Sequence, residues 1–147
     1  MTIALGCDHG AFELKKIVIK HLEQNDNNIV DCGTYSEESC DYSDFAEKVC
    51  DLVSKGEADF GILICGTGIG MSIAANKVRG IRCALLSDVF SAKATRLHND
   101  TNVMAMGARV VGPGLALEIV DAFLATPFSG EERHARRIEK VMGLEKK

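Results

Sequence analysis

Apolar and polar residues fall in blocks along this chain, and the blocks alternate between two periods. Thr2 to Cys7 is a short, nearly continuous apolar run and predicts a strand. Ala11 to Gln24 follows at helical spacing, with Phe12, Leu14, Ile17, Val18 and Leu22 forming one stripe. The polar turn Asn25-Asp26-Asn27 leads into a second short strand, Asn28 to Cys32. Asp44 with Glu47 has the spacing of a capping box and predicts a helix running to about Val53. Phe60 to Cys65 reads as a third strand, apolar throughout, as a strand buried on both faces should be. Helix 69–77, strand 81–86, helix 88–97 and strand 102–106 follow. Pro113-Gly114 then leads into a helix over 115–125 that stops before Pro127. The polar, helical segment from Gly130 to Lys147 predicts an arm on a single domain spanning 1–147.

Strands alternating with helices predict an α/β fold: a three-layer α/β/α sandwich around a Rossmann-like, parallel five-stranded sheet. Ligands of such sheets bind at the carboxyl ends of the strands. Polar clusters fall at those ends: Asp8-His9-Gly10, Cys65 to Gly70, and Ser87-Asp88.

Composition narrows the functional classes. The 147 residues are 46% hydrophobic and 26% charged, enough apolar material for one sizeable core. A net charge of −4 argues against general affinity for nucleic acid or an anionic membrane. No run is apolar for long enough to cross a bilayer, and the N-terminus lacks the pattern of a secretory signal, so a cytoplasmic location is expected. Cys7, Cys32, Cys40, Cys50, Cys65 and Cys83 show no C-x-x-C spacing. Most read as buried reduced thiols, and no metal site is expected.

The chemistry concentrates where strand 60–65 ends. Cys65 is followed by Gly66-Thr67-Gly68-Ile69-Gly70, with glycine at alternate positions, and then by a helical run. Glycine lets a ligand approach backbone N–H groups closely, and a helix start aims unpaired N–H groups at the same spot. A potential base therefore stands at the lip of an anion cradle. The loop is not a P-loop, since no G-x-x-x-x-G-K-[ST] string occurs, and not a dinucleotide fingerprint, because the third glycine arrives one residue early, at Gly70. A turn that uses glycine only for geometry is the plain alternative.

Three other segments carry candidate groups. Asp8 either caps the following helix or serves the same cleft, with His9 beside it. His98, next to Asn99, is suited to proton transfer near neutral pH, or is simply a surface histidine at a helix end. Arg133 and Arg137, at i and i+4, share one helix face and make a phosphate clamp, unless they pair with Glu131, Glu132 and Glu139. Arg109 is a further anion ligand.

In order along the chain, Asp8-His9-Gly10, Asp41-Tyr42-Ser43-Asp44-Phe45-Ala46, Cys65-Gly66-Thr67-Gly68-Ile69-Gly70, Ala75-Asn76-Lys77, His98-Asn99 and Arg133-His134 with Arg136-Arg137 resemble the RpiB/LacA/LacB sugar-phosphate isomerase family. The resemblance covers essentially the full length. Ser43 stands where family members often carry Pro, and Met71 stands where some members carry a glutamate base, leaving Cys65 for that role. The resemblance implies reversible aldose–ketose isomerisation of ribose 5-phosphate and ribulose 5-phosphate through a cis-enediolate, without metal or organic cofactor. It implies Cys65 as base, Thr67 as hydroxyl proton shuttle, His98 for ring opening and Asp8 to position ring hydroxyls. The N–H groups of residues 66–70 would hold the oxyanion. It implies substrate contacts from His9, Tyr42, Gly66, Gly68, Ile69, Gly70, Asn99, Arg109, Arg133 and Arg137, with His9, Arg133 and Arg137 on the phosphate. It further implies a homodimer or tetramer with shared sites, in which His98, Asn99 and Arg109 come from the partner of the chain that gives Cys65. A six-carbon sugar phosphate as substrate, and a non-catalytic sugar-phosphate sensor on the same fold, are the alternatives. The presence of Cys65, Thr67 and His98 together speaks against the sensor, since binding alone needs no base.

Overall fold

In the computed structural model, which describes residues 1–146, five parallel strands form one sheet in the order β2-β1-β3-β5-β4. The strands are β1 (Thr2–Cys7), β2 (Asn28–Asp31), β3 (Phe60–Cys65), β4 (Cys83–Leu85) and β5 (Val103–Gly107). Six helices cover or flank it: α1 (Phe12–Gln24), α2 (Tyr42–Ser54), α3 (Ile69–Ala75), α4 (Val89–Asn99), α5 (Pro113–Ala125) and α6 (Glu132–Met142). This is the expected three-layer α/β/α architecture.

Side chains on the three central strands alternate between the two layers, as a pleated strand requires. Ile3, Leu5, Ile62, Ile64, Met104 and Met106 face α1, α4 and α5. Ala4, Leu63, Cys65, Val103 and Ala105 face α2 and α3. The second set contains smaller residues, so α2 rides close to the sheet: a Cβ on Gly61 would stand 2.8 Å from Val49.

Element ends differ from expectation in instructive ways. The Asp44/Glu47 capping box does not form. The helix begins three residues earlier, at Tyr42, and Asp41 at its N-cap makes no side-chain cap bond. Asp44 instead adds its charge to the first turn, where the helix dipole favours it. Asp88 does cap α4, its carboxylate accepting from the Ser91 N–H at 2.7 Å. Pro113 occupies the first turn of α5, where its missing N–H costs nothing. The arm folds as α6 and a terminal 3-10 turn over Gly143–Lys146; Lys147 lies outside the described residues. Glu145 ties that turn back, accepting from the Gly80 N–H at 3.0 Å.

One buried charge was absent from the apolar stripe of α1. Lys15 is 1% exposed, whereas Ile17 is 39% exposed. The Lys15 ammonium donates to both Asp31 carboxylate oxygens at 2.7 and 2.8 Å and to the Thr34 carbonyl at 2.7 Å. This triad fixes the chain leaving β2, whose later residue Cys40 touches the candidate site. Asp31→Asn strands a buried ammonium and should cost about 3–5 kcal/mol of stability. Lys15→Met leaves a carboxylate that water reaches and should cost less, about 1–3 kcal/mol. Denaturant titration checks the order; a larger loss for Lys15→Met would contradict it.

Candidate active site

The apolar strand β3 delivers Cys65, 5% exposed, to the carboxyl edge of the sheet. Its Sγ accepts a hydrogen bond from the Gly68 N–H at 3.0 Å. Thr67 is exposed, and its Oγ1 accepts from the Ile69 N–H at 3.3 Å. Two of the loop N–H groups expected to face an oxyanion are therefore already engaged, one by the thiol sulfur itself.

Steric constraint sets this loop. Gly68 has φ +78°, and a Cβ there would stand 2.6 Å from Leu85 Cδ1 and 2.7 Å from the Met106 carbonyl carbon. A Cβ on Gly107 would stand 2.6 Å from the Thr67 backbone. Both positions need glycine, because the loop is pressed against the end of β5.

Other predicted residues converge on the same edge. Asp8 is 8% exposed and follows β1, where its Oδ1 accepts from the Gly10 N–H at 2.9 Å. It thus caps the one-turn 3-10 helix His9–Ala11. A Cβ on Gly10 would lie 3.3 Å from Asp8 Oδ1, 3.6 Å from Arg109 Nη2 and 3.7 Å from the Gly66 nitrogen. A Cβ on Gly66 would lie 3.6 Å from Arg109 Nε and Cζ. The Tyr42 ring lies over Gly70, within 2.7 Å of a Cβ built there. His9 Nδ1 accepts from the Cys40 N–H at 3.3 Å, a support that sequence alone did not indicate. A cleft of about 260 Å³ opens beside His9, Gly10 and Ala108.

Arg109 belongs to this cluster on its own chain, which corrects its expected origin in a partner. The reason is topological: β5 returns the chain to the carboxyl edge, and Arg109 follows it by two residues.

His98 and Asn99 lie elsewhere. α4 leaves the carboxyl edge after β4 and runs back toward the amino edge, where β5 begins. Its 11 residues cover about 16 Å. His98 in its last turn is that far from the edge that carries Cys65.

Arg133 and Arg137 also differ from expectation. They segregate with His98 rather than with His9, because α6 packs on α4. Arg137 and Asn99 border one cavity of about 680 Å³, between α6 and the β4 edge. Arg133 Nε donates to Glu131 Oε2 at 2.6 Å.

The thiols divide by burial, which pushes Cys7 and Cys50 up to about 12 and raises Cys32 and Cys83 as well. These four are packing residues. All six cysteines are free.

Residues 3–141 match the ribose/galactose isomerase family. The chain belongs to that family. Within the comparison, ribose-5-phosphate isomerase B of Escherichia coli (strain K12) is 49% identical over 145 residues, covering 99% of this chain and 97% of the relative. The solved ribose-5-phosphate isomerase B of Clostridium thermocellum is 49% identical with a TM-score of 0.97, covering 99% of this chain and 98% of that one. The Mycoplasma genitalium enzyme with bound ribulose 5-phosphate is 42% identical with a TM-score of 0.94, covering 99% and 97%. The family motifs thus divide between two separated clusters of this fold.

His134 belongs to the second cluster. It is 6% exposed and stacks on His98, with ring centroids 4.5 Å apart and planes inclined by 13°. Burial lowers its pKa from 6.5; His98, Arg133 and Arg137 push the same way, and Glu131 opposes them. The unfolded chain therefore binds more protons here as pH falls below about 6.5, and stability is lost in that direction only. His134→Phe removes this contribution, so its melting temperature should drop less than that of the wild type between about pH 7 and pH 5. Parallel slopes in thermal melts would contradict this.

Proposed function

We infer that this chain interconverts ribose 5-phosphate and ribulose 5-phosphate. The observation that carries the reading is Cys65 at the end of β3, with its sulfur held by the Gly68 N–H and the glycine loop beside it. Cys65 removes the proton from C2 of the open-chain aldose and returns it to C1. Thr67 moves a proton between the two oxygens of the cis-enediolate. Loop N–H groups not held by Cys65 or Thr67 stabilise the developing oxyanion, usually a large part of the rate gain.

The sugar reaches the site as a ring and must open first. His98 relays the proton from the C1 hydroxyl to the ring oxygen as the C1–O4 bond breaks and the C1 carbonyl forms, while Asp8 positions the hydroxyls. His9 and Arg109 meet the phosphate on the Cys65 side. His98, Asn99, Arg133 and Arg137 of a second copy complete the site in a homodimer, a reading supported by the separation of the two clusters within one chain.

The test is ketose formation from ribose 5-phosphate and from allose 6-phosphate. The wild type should show the higher kcat/KM on the five-carbon substrate, and a ratio at or below one would reject that assignment. Cys65→Ala should lose about 10²–10⁴-fold in rate while still binding substrate. Deuterium exchange at C2 at the wild-type rate in that variant would remove Cys65 from the base role.

A further inference from the structure

His134 Nε2 is a buried polar atom without a hydrogen-bond partner among the described residues. The nearest carboxylate oxygen, Glu131 Oε2, is 4.0 Å away. An unpaired buried nitrogen costs stability, and an apolar ring of the same shape would avoid that cost. The fold needs a ring here, because His134 is the one buried residue of α6. It does not need the nitrogen.

The contact that distinguishes this ring is His98. The two imidazoles lie nearly flat on one another, and His98 is the exposed member. A fixed ring beneath an exposed one removes orientations that the upper ring would otherwise sample. The charged and titratable groups around His134 are His98 on α4 and Glu131, Arg133 and Arg137 on α6 and its cap. Two cations and one anion thus lie around His134.

We propose that His134 is a positioning residue for ring opening: its buried imidazole, stacked on His98, holds the His98 ring in the orientation that relays the proton from the C1 hydroxyl to the ring oxygen. The inference rests on the ring-opening role given to His98 above.

Ribulose 5-phosphate supplies the control. Its only furanose-forming hydroxyl carries the phosphate, so it is always open-chain, and deuterium uptake at its C1 needs the enediolate but no ring. His134→Ala, His134→Phe and His98→Asn are compared in consumption of ribose 5-phosphate and in that C1 exchange. His134→Ala should slow consumption by about 10- to 100-fold while leaving C1 exchange within about twofold of the wild type. His134→Phe keeps a flat ring and should recover most of the loss. Equal loss of both readouts in His134→Ala, or no recovery in His134→Phe, would overturn the proposal, and the exchange rate reports at once whether the variant is folded. If His98→Asn separates the two readouts and His134→Ala does not, the role of His134 fails and that of His98 stands. If His98→Asn does not separate them either, the ring-opening reading fails and the proposal falls with it.

Discussion

A parallel sheet forces its crossover helices to run backwards, and this constraint divides the candidate site. Every strand ends at the carboxyl edge, so Asp8, Cys65 and Arg109 are gathered there by β1, β3 and β5. Every crossover helix ends at the other edge, and His98 and Asn99 lie in the last turn of one. No side-chain rotation spans about 16 Å. Arg133 and Arg137 follow His98, because α6 docks on α4 through the His98–His134 stack.

Within the Cys65 cluster, geometry rests on contact rather than on charge. The loop after Cys65 lies at van der Waals distance from the end of β5, with glycine on both sides of the contact, at Gly68 and Gly107. The Gly68 N–H meets the sulfur as a result. Catalytic loops gain precision when rigid elements support them. A second support runs through Lys15, Asp31 and Thr34 to the segment whose Cys40 N–H meets His9. A charge buried far from the thiol thus bears on a residue beside it.

The strands and helices were legible because their apolar periods are clean, and the Asp8 and Cys65 groups were legible because the ends of β1 and β3 fall on one edge. What escaped were features that depend on partners distant in sequence. Lys15 sits in an amphipathic helix, and nothing in α1 indicates that Asp31 will accept its ammonium 16 residues later. The box formed by Asp44 and Glu47 fits a local pattern, but Tyr42 starts the helix earlier and lays its ring over Gly70. Arg133 and Arg137 have the spacing of a clamp, yet spacing within a helix does not say where that helix docks. His134 stood among basic residues and gave no sign of being the buried one.

In the proposed function the two clusters make one site only across two copies. Mixing Cys65→Ala protein with His98→Asn protein under conditions of subunit exchange tests it most directly. A mixed dimer then contains one site with both native residues and one with neither. Each variant alone should be slow on ribose 5-phosphate, and the equimolar mixture should regain up to about one quarter of the wild-type activity. Mixed dimers that are seen by native mass spectrometry but show no gain in activity would contradict the account.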